Sequence, residues 1–140
     1  SSEPFRIEAR LRFTPTHPTG QKSEMNAGII FGWQSVGNVL RYFNLLITGK
    51  RILLELIGAN GGPVFKDYKH LDEGVSFEIR PGTDYDFDVH IEKVKLRLLV
   101  NGKQLYSTRF SGDPTGRVGL RPWRSRVESE KFTVSVAHHE

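Results

Sequence analysis

The sequence contains no cysteine and a single methionine, Met25, among 140 residues. Without thiols the chain cannot have a cysteine nucleophile, a cysteine-ligated zinc site or a disulfide. No apolar run approaches the roughly 18–20 residues that a membrane-spanning helix requires. These absences exclude thiol catalysis and a helical membrane span within these residues, and they leave the compartment open.

Size and charge are typical of one folded domain. A chain of 140 residues can bury roughly two-thirds of its unfolded surface, so it needs no disulfide or metal to fold. Its 37% hydrophobic and 11% aromatic content is too high for a disordered chain. The 20 basic and 16 acidic side chains leave a net charge of only +4. Because the chain starts at Ser1 and not at a methionine, we expect residues 1–140 to be a single domain excised from a longer protein.

Alternation of apolar and polar residues is the strongest structural signal. Glycine or proline interrupts the chain about every 10–15 residues, which leaves little room for helices. The longest uninterrupted window runs from Thr83 to Asn101. Within it, apolar and polar residues alternate from Tyr85 to Glu92, as they do in half-buried strands. Asn101-Gly102 then has the residue types that a tight type I′ hairpin turn requires.

About ten short strands and no amphipathic helix follow from this pattern. Glycine-containing turns are expected at Thr48–Lys50 and Asn60–Pro63. Strands of this length and spacing predict an all-β fold, a two-sheet antiparallel β-sandwich or jelly roll. The predicted strands are Phe5–Phe13, Ala27–Gln34, Val39–Thr48, Arg51–Ile57, Val75–Ile79, Tyr85–Glu92, Val94–Val100, Lys103–Phe110, Arg117–Leu120 and Glu128–Ala137.

The strand Ala27–Gln34 is apolar on both faces. Alternation places Ile29, Phe31 and Trp33 on one face and Ile30 on the other. This pattern is typical of a strand in the middle of a sheet.

A polar and aromatic cluster is expected on one outward face of the sandwich. Alternation places Tyr42 with Asn44, and Arg121 with Trp123, and Gln34 lies nearby. An aromatic ring covers the apolar face of a sugar, while amides and guanidinium groups bond its hydroxyls. This set is therefore a candidate carbohydrate site. The alternative is that the two rings pack in the core or under a loop.

A series of short motifs, Ala27-Gly28-Ile29-Ile30-Phe31, Arg41–Leu45, Leu99–Lys103 and Gly116–Trp123, runs along the chain. The first resembles the small-Gly-aliphatic-aliphatic-Phe strand of concanavalin A-like, laminin-G-like sandwich domains, and the others follow in the matching order. The resemblance spans Pro4 to Val136. Within this group the chain is similar to the family-66, fructan-binding carbohydrate-binding modules and to related sandwich domains of bacterial glycoside hydrolases.

The resemblance implies a concanavalin A-like jelly roll whose concave sheet or rim holds carbohydrate. Asn44 and Trp123 match an Asn and a Trp of the pattern. The modules often have an arginine directly after the Phe of the first motif, where this chain has Gly32. We expect that polar contact to be absent or to come from another arginine. The candidates are Arg41, Arg121 and Arg124.

The function that we expect is non-catalytic binding of a polysaccharide. Trp123 and Tyr42 would stack on sugar rings, and polar side chains, including Glu128 beside Trp123, would bond hydroxyls. The expected partners are a carbohydrate and other domains of the parent protein, not nucleic acid or a membrane, and the expected location is extracellular or secreted, in a bacterium. The expected ligand-binding residues are Trp123, Arg121, Arg124, Tyr42, Asn44, Gln34, Glu128 and Arg41.

Two other functions fit the sequence. Asp86 and Asp88 share a strand face, as the carboxylate pairs of sandwich glycosidases do, so a glycoside hydrolase-type domain is the first alternative. In the simpler interpretation these acids pair across the sheet with Lys95, Arg97 or Lys103. The second alternative is a laminin-G-like sandwich that binds proteins or serves a structural role.

The motifs of this sequence require no cofactor. There is no nucleotide-binding glycine loop and no His-Glu-x-x-His zinc motif. A structural calcium ion held by loop carboxylates such as Asp72, Asp84 or Asp113 is compatible with a sandwich of this kind.

Overall fold

The computed structural model describes residues 3–15, 26–36, 39–60, 67–70, 72–123 and 125–136. Regular structure in these ranges consists of eleven β-strands, and no helix there is long and apolar enough to cross a membrane. The strands are β1 (Phe5–Pro15), β2 (Asn26–Val36), β3 (Val39–Ile47), β4 (Arg51–Asn60), β5 (Asp67–His70), β6 (Val75–Ser76), β7 (Asp84–Glu92), β8 (Lys95–Val100), β9 (Lys103–Arg109), β10 (Arg117–Trp123) and β11 (Ser125–Val136).

The strands form two sheets that pack face to face. The back sheet has the order β11-β1-β7-β8-β9, and the front sheet has the order β10-β2-β3-β4-β5, with β6 also paired to β4. Neighbouring strands are antiparallel in both sheets. The predicted two-sheet antiparallel β-sandwich is therefore confirmed.

Turn residues explain where several strands end. Asn101 and Gly102 have φ angles of 51° and 82°, as a type I′ turn requires, and they join β8 to β9. Lys93, with φ of 54°, lies in the turn between β7 and β8, where the alternation shifts by one residue. Of the predicted turn at Asn60–Pro63, only Asn60 is among the described residues, and it is the last residue of β4. The short edge strand β5 was not predicted.

The core lies between the inner faces of the two sheets. Phe31 of β2 and Phe43 of β3 stack with ring centroids 5.1 Å apart, and Phe110 packs 4.9 Å from Phe43. Phe13 and Phe87 add an edge-to-face pair from the back sheet. All five side chains are buried, as the strand alternation predicts.

A β-bulge at Gly32 changes which face the end of β2 presents. The pairing of β2 with β3 shifts in register between Phe31 and Gln34, and Gly32 has a φ of 64°. The ring of Trp33 therefore leaves the inner face and stacks on Tyr42, with centroids 4.7 Å apart. The predicted placement of Trp33 with Ile29 and Phe31 is wrong, because the extra residue of the bulge reverses the alternation.

We predict that Gly32→Ala lowers the free energy of unfolding by about 1–3 kcal/mol. A Cβ on Gly32 would sit in a left-handed conformation, 3.0 Å from Cδ2 of Phe43. Gly119→Ala is the matched control, because nothing lies within 4 Å of a Cβ placed there. Urea unfolding of the two variants measures the difference, and equal midpoints would contradict the role given to the bulge.

Candidate functional site

A groove of about 580 Å³ lies on the outer face of the front sheet. It crosses β10, β2, β3 and β4, and its size is in the range of small-molecule sites. It combines one indole, one guanidinium group, two amides and one carboxylate with several apolar side chains. Its lining residues are Asn26, Ala27, Gly28, Tyr42, Asn44, Leu46, Thr48, Glu55, Ile57, Arg121 and Trp123.

Strand register brings these residues together. In the pairing of β10 with β2, Arg121 lies opposite Gly28 and Trp123 lies opposite Asn26. In the pairing of β3 with β4, Asn44 lies opposite Glu55. Residues directly opposite each other in an antiparallel pair project from the same face. Residues far apart in sequence thus line one groove.

Trp123 is the exposed aromatic side chain of the groove. It is 49% exposed, and the guanidinium group of Arg121 lies over its ring, 5.4 Å from the centroid. Both residues come from β10 and are two positions apart, so they share a face. Arg121 Nη1 also donates a hydrogen bond of 3.1 Å to the Tyr42 hydroxyl. Arg121 therefore connects the indole to the wall of the groove.

Tyr42 is a wall residue with no exposed surface. Trp33 covers its ring in a nearly parallel stack, with an interplanar angle of 12°. Burial raises the pKa of the Tyr42 hydroxyl, and the charge and hydrogen bond of Arg121 offset part of that rise. The hydroxyl thus stays neutral at physiological pH. The expectation that this ring stacks on a ligand is wrong, because Trp33 occupies that position.

The floor of the groove contains a buried amide and a buried carboxylate. Asn44 and Glu55 are each 7% exposed, and Asn44 Nδ2 donates a hydrogen bond of 3.1 Å to Glu55 Oε1. That bond fixes the amide orientation, because the carboxylate accepts and the amide nitrogen donates. Among the described residues, none donates to Asn44 Oδ1, which is shielded from solvent. Such an unsatisfied buried acceptor costs about 1–3 kcal/mol.

Gly28 makes room for this amide. A Cβ at Gly28 would collide with Asn44 Oδ1 and would lie 2.9 Å from Asn44 Cγ. Because glycine lacks that atom, the Asn44 side chain lies directly against β2. The absence of a side chain at Gly28 is therefore what allows the amide to form the floor.

Glu55 and Gly28 are site residues that the strand pattern did not identify. Glu55 is the one charged residue in the apolar run from Ile52 to Ile57. A charged residue at a strand position that alternates with core residues could have indicated that Glu55 lies on the outer face. Gly28 was recognised only as part of a structural motif, since its role depends on Asn44, which lies 16 residues further along the chain.

Gln34 and Arg41 lie together at the other end of the sheet. They are opposite each other in the pairing of β2 with β3. Gln34 Nε2 donates a hydrogen bond of 2.7 Å to the backbone oxygen of Thr115, and the Arg41 guanidinium lies 5.8 Å from the centroid of the Phe43 ring. Gln34 lies eight positions after Asn26 on β2, a strand length of roughly 26 Å. The structure therefore does not bring Gln34 and Arg41 into the groove.

Glu128 also lies outside the groove. Glu128 belongs to β11 of the back sheet, where it lies 3.8 Å from Arg12 and 3.6 Å from Arg126. Its expected position beside Trp123 is therefore wrong. Arg124 lies outside the described residues.

The candidate catalytic residues Asp86 and Asp88 lie on the outer face of the back sheet. Arg6 donates two hydrogen bonds of 2.7 Å to Asp88, while Asp86 lies 3.9 Å from Arg10. Both ion pairs are made with β1, the neighbour of β7, and not with the predicted partners of β8 and β9. The predicted partners were Lys95, Arg97 and Lys103.

Arginine and histidine neighbours keep the Asp88 carboxyl ionised. Burial works to raise the pKa of Asp88, but the hydrogen bond from Arg6 and the contacts of His90 outweigh it, so the pKa lies below its ordinary value. A general acid needs a raised pKa to carry a proton near neutrality. These pairings favour the ion-pair interpretation of this strand over the catalytic one.

The carboxylates considered for calcium have other contacts. Asp72 accepts hydrogen bonds from the hydroxyls of Tyr106 and Thr108, Asp84 pairs with Arg12, and Asp113 accepts a bond from the backbone of Thr115. Within the described ranges, no three His, Asp or Glu side chains form a group that could hold a metal ion. The calcium site stays a prediction.

Comparison with solved structures identifies the fold. The chain superposes on a family-66 carbohydrate-binding module from Bacillus subtilis with a TM-score of 0.63 and 11% identity, over 95% of this chain and 75% of the module. The chain has a concanavalin A-like β-sandwich fold. The resemblance inferred from the short motifs is thus confirmed at the level of fold.

Galectins have the same concanavalin A-like sandwich. Sheep galectin-11 matches with a TM-score of 0.62 and 11% identity, over 96% of this chain and 92% of the galectin. A variant of human galectin-16 matches with a TM-score of 0.62 and 12% identity, over 98% and 91% of the two chains. No protein-family model matches the sequence, and no curated protein matches it. These proteins therefore share the architecture of this chain, but the sequence identities are too low to match individual residues between them.

We predict that Asp88→Asn lowers the free energy of unfolding at pH 7 by about 1–3 kcal/mol, because Arg6 loses its charged partner. The folded pKa of Asp88 is lowered, so its contribution is complete above the unfolded pKa of about 3.9 and is lost as the pH falls through the folded value. The difference between wild type and variant should therefore shrink below about pH 4.

Asp86→Asn is the matched control for this experiment. The Asp86 side chain is 63% exposed and lies 3.9 Å from Arg10, so its removal should change stability by less than about 0.5 kcal/mol. Urea unfolding across pH 2–7 compares the two variants. Identical pH profiles for both variants would show that the Arg6–Asp88 pair stabilises the fold no more than the Arg10–Asp86 pair does.

Proposed function

We propose that this domain binds carbohydrate in the groove on the outer face of the front sheet, without catalysing its cleavage. The observation that carries the proposal is the position of the half-exposed indole of Trp123 beside a floor that contains the buried polar pair Asn44 and Glu55. A sugar ring has an apolar C–H face and an edge of hydroxyls. It requires these two kinds of surface next to each other.

The indole supplies the apolar surface. Trp123 is 49% exposed, and the Arg121 guanidinium packs over its ring. A ring held in place before binding loses less entropy when a sugar stacks on it. Trp123 is therefore the stacking platform in this proposal, and the buried Tyr42 contributes through its hydrogen bond with Arg121.

Polar groups around the indole supply hydrogen bonds of both kinds. Arg121 has several donors on its guanidinium group, one of which bonds the Tyr42 hydroxyl, and Asn44 provides a carbonyl oxygen. Sugar hydroxyls both donate and accept, so they match a site that offers both. Fold neighbours whose names describe a carbohydrate-binding module and galectins support the same class of ligand.

The proposal includes a role for the domain in a larger protein. It places the domain outside the cell as one module of a longer chain, where binding to a polysaccharide would hold neighbouring domains close to it. This role requires affinity for sugar and no chemistry in the groove. Carboxylates of the back sheet, including Asp88, take no part in it.

We predict that Trp123→Ala weakens binding to the recognised glycan by about tenfold or more, since truncating a central aromatic contact costs about 2 kcal/mol. Val134→Ala is the matched control, because Val134 is 50% exposed but belongs to β11 of the back sheet. A glycan array identifies the ligand, and isothermal titration measures the affinity of each protein.

Arginine variants test the polar part of the site separately. Arg121→Ala should weaken binding, whereas Arg126→Ala, which removes a 74% exposed side chain on β11, should leave it unchanged. Binding that is indifferent to Trp123 and Arg121 would contradict the location of the site. Release of reducing sugar that is lost in Asp86→Asn or Asp88→Asn would contradict the non-catalytic role.

A further inference from the structure

The buried amide of Asn44 is a feature of the groove that fold stability does not explain. Its nitrogen is bonded to Glu55 Oε1, but among the described residues no group donates to its oxygen. Buried polar atoms in folded proteins are almost always paired, so an exception requires an explanation. Since Asn44 lines the groove, the missing donor is one that a ligand can bring.

The contact with Glu55 determines what that ligand atom must be. The bond to Glu55 keeps the amide nitrogen occupied, so the amide presents its carbonyl oxygen to any further partner. A carbonyl oxygen only accepts hydrogen bonds. The partner must therefore carry a proton on oxygen or nitrogen, which an ether, a carboxylate or a sulfate group does not.

Gly28 provides the space in which this recognition takes place. The oxygen of Asn44 lies where a Cβ of residue 28 would be, and Arg121 lies opposite Gly28 on the neighbouring strand. Because residue 28 has no Cβ, no side-chain atom of that residue lies between this oxygen and a ligand in the groove.

We infer that Asn44 is the specificity-determining acceptor of the groove, and that it selects saccharides that present a free hydroxyl at the floor over those in which that hydroxyl is removed, alkylated or replaced by an acidic group. This inference rests on the proposed function, since it concerns the ligand of the same groove. A site that accepts a hydrogen bond from a ligand hydroxyl rejects analogues that lack this hydroxyl, because the acceptor is then left unpaired again.

The test uses nuclear magnetic resonance of the ¹⁵N-labelled chain, with two reporters in one spectrum. The indole N–H of Trp123 reports entry of a sugar into the groove, and the side-chain amide of Asn44 reports a new bond at its oxygen. The probes are the neutral methyl glycosides of glucose, galactose, mannose and fructose. A binding sugar is expected to shift both signals, and titration of these shifts gives its affinity.

Analogues of the sugar that binds locate the hydroxyl. Each hydroxyl is replaced in turn by hydrogen and by fluorine, which is close to a hydroxyl in size but donates no hydrogen bond. At one position, both replacements should weaken binding to the wild-type protein by about tenfold or more. In Asn44→Leu, which keeps the approximate volume but has no acceptor, the same replacements should change the affinity by less than about twofold.

Two further variants guard against a loss of folding. Gly28→Ala removes no polar group from the floor, but its Cβ displaces the Asn44 amide. It should therefore weaken binding of the parent sugar more than binding of its deoxy analogue. Gln104→Ala, an exposed change on β9 of the back sheet, should behave as wild type. The amide-proton spectrum of each variant verifies that it is folded.

The outcomes separate this inference from the proposed function. If a sugar shifts the Trp123 signal but no replacement couples to Asn44, the groove binds carbohydrate and Asn44 does not select it. Equal losses in wild type and Asn44→Leu at every position would overturn the inference in the same way. If no glycoside in the panel shifts either reporter, the proposed function and this inference fall together.

Discussion

Each sheet of this sandwich can bury only one of its faces, and that constraint determines where function can lie. Phe31, Phe43 and Phe110 pack against each other between the sheets, so alternate positions of the same strands must face outward. On β3 the residues that alternate with Phe43 are Tyr42 and Asn44. The packing of the core thus turns the polar residues of the groove toward the outside without any further signal in the sequence.

The bulge at Gly32 is the point where this constraint is locally broken. A positive φ at Gly32 reverses the alternation of β2, and Trp33 joins Tyr42, Ile30 and Ile57 in a second apolar cluster on the outer face. The two stacked rings support the wall from which the Tyr42 hydroxyl accepts a bond from Arg121. A backbone irregularity far from Trp123 in sequence therefore helps to hold the group that lies on its ring.

Strand alternation and turn residues were sufficient to predict the sandwich and four residues of the groove: Tyr42, Asn44, Arg121 and Trp123. Their faces depend only on parity within one strand, which is local information. The position of Gln34 at the far end of β2 depends on the order and register of strands, which are long-range pairings. Glu55 and Gly28 were missed for the same reason, since each acquires its role only through Asn44 on the adjacent strand.

The two outer faces use charge in opposite ways. On the back sheet, arginines of β1 face aspartates of β7 across the ladder, so charges of opposite sign offset one another on a surface that solvent reaches. On the front sheet, Asn44 and Glu55 are 7% exposed and lie among apolar side chains. A hydrogen bond gained or lost there has a large effect, because water competes poorly for buried groups. In the proposed function, the buried amide oxygen therefore matters more for the choice of ligand than the excess positive charge of the chain.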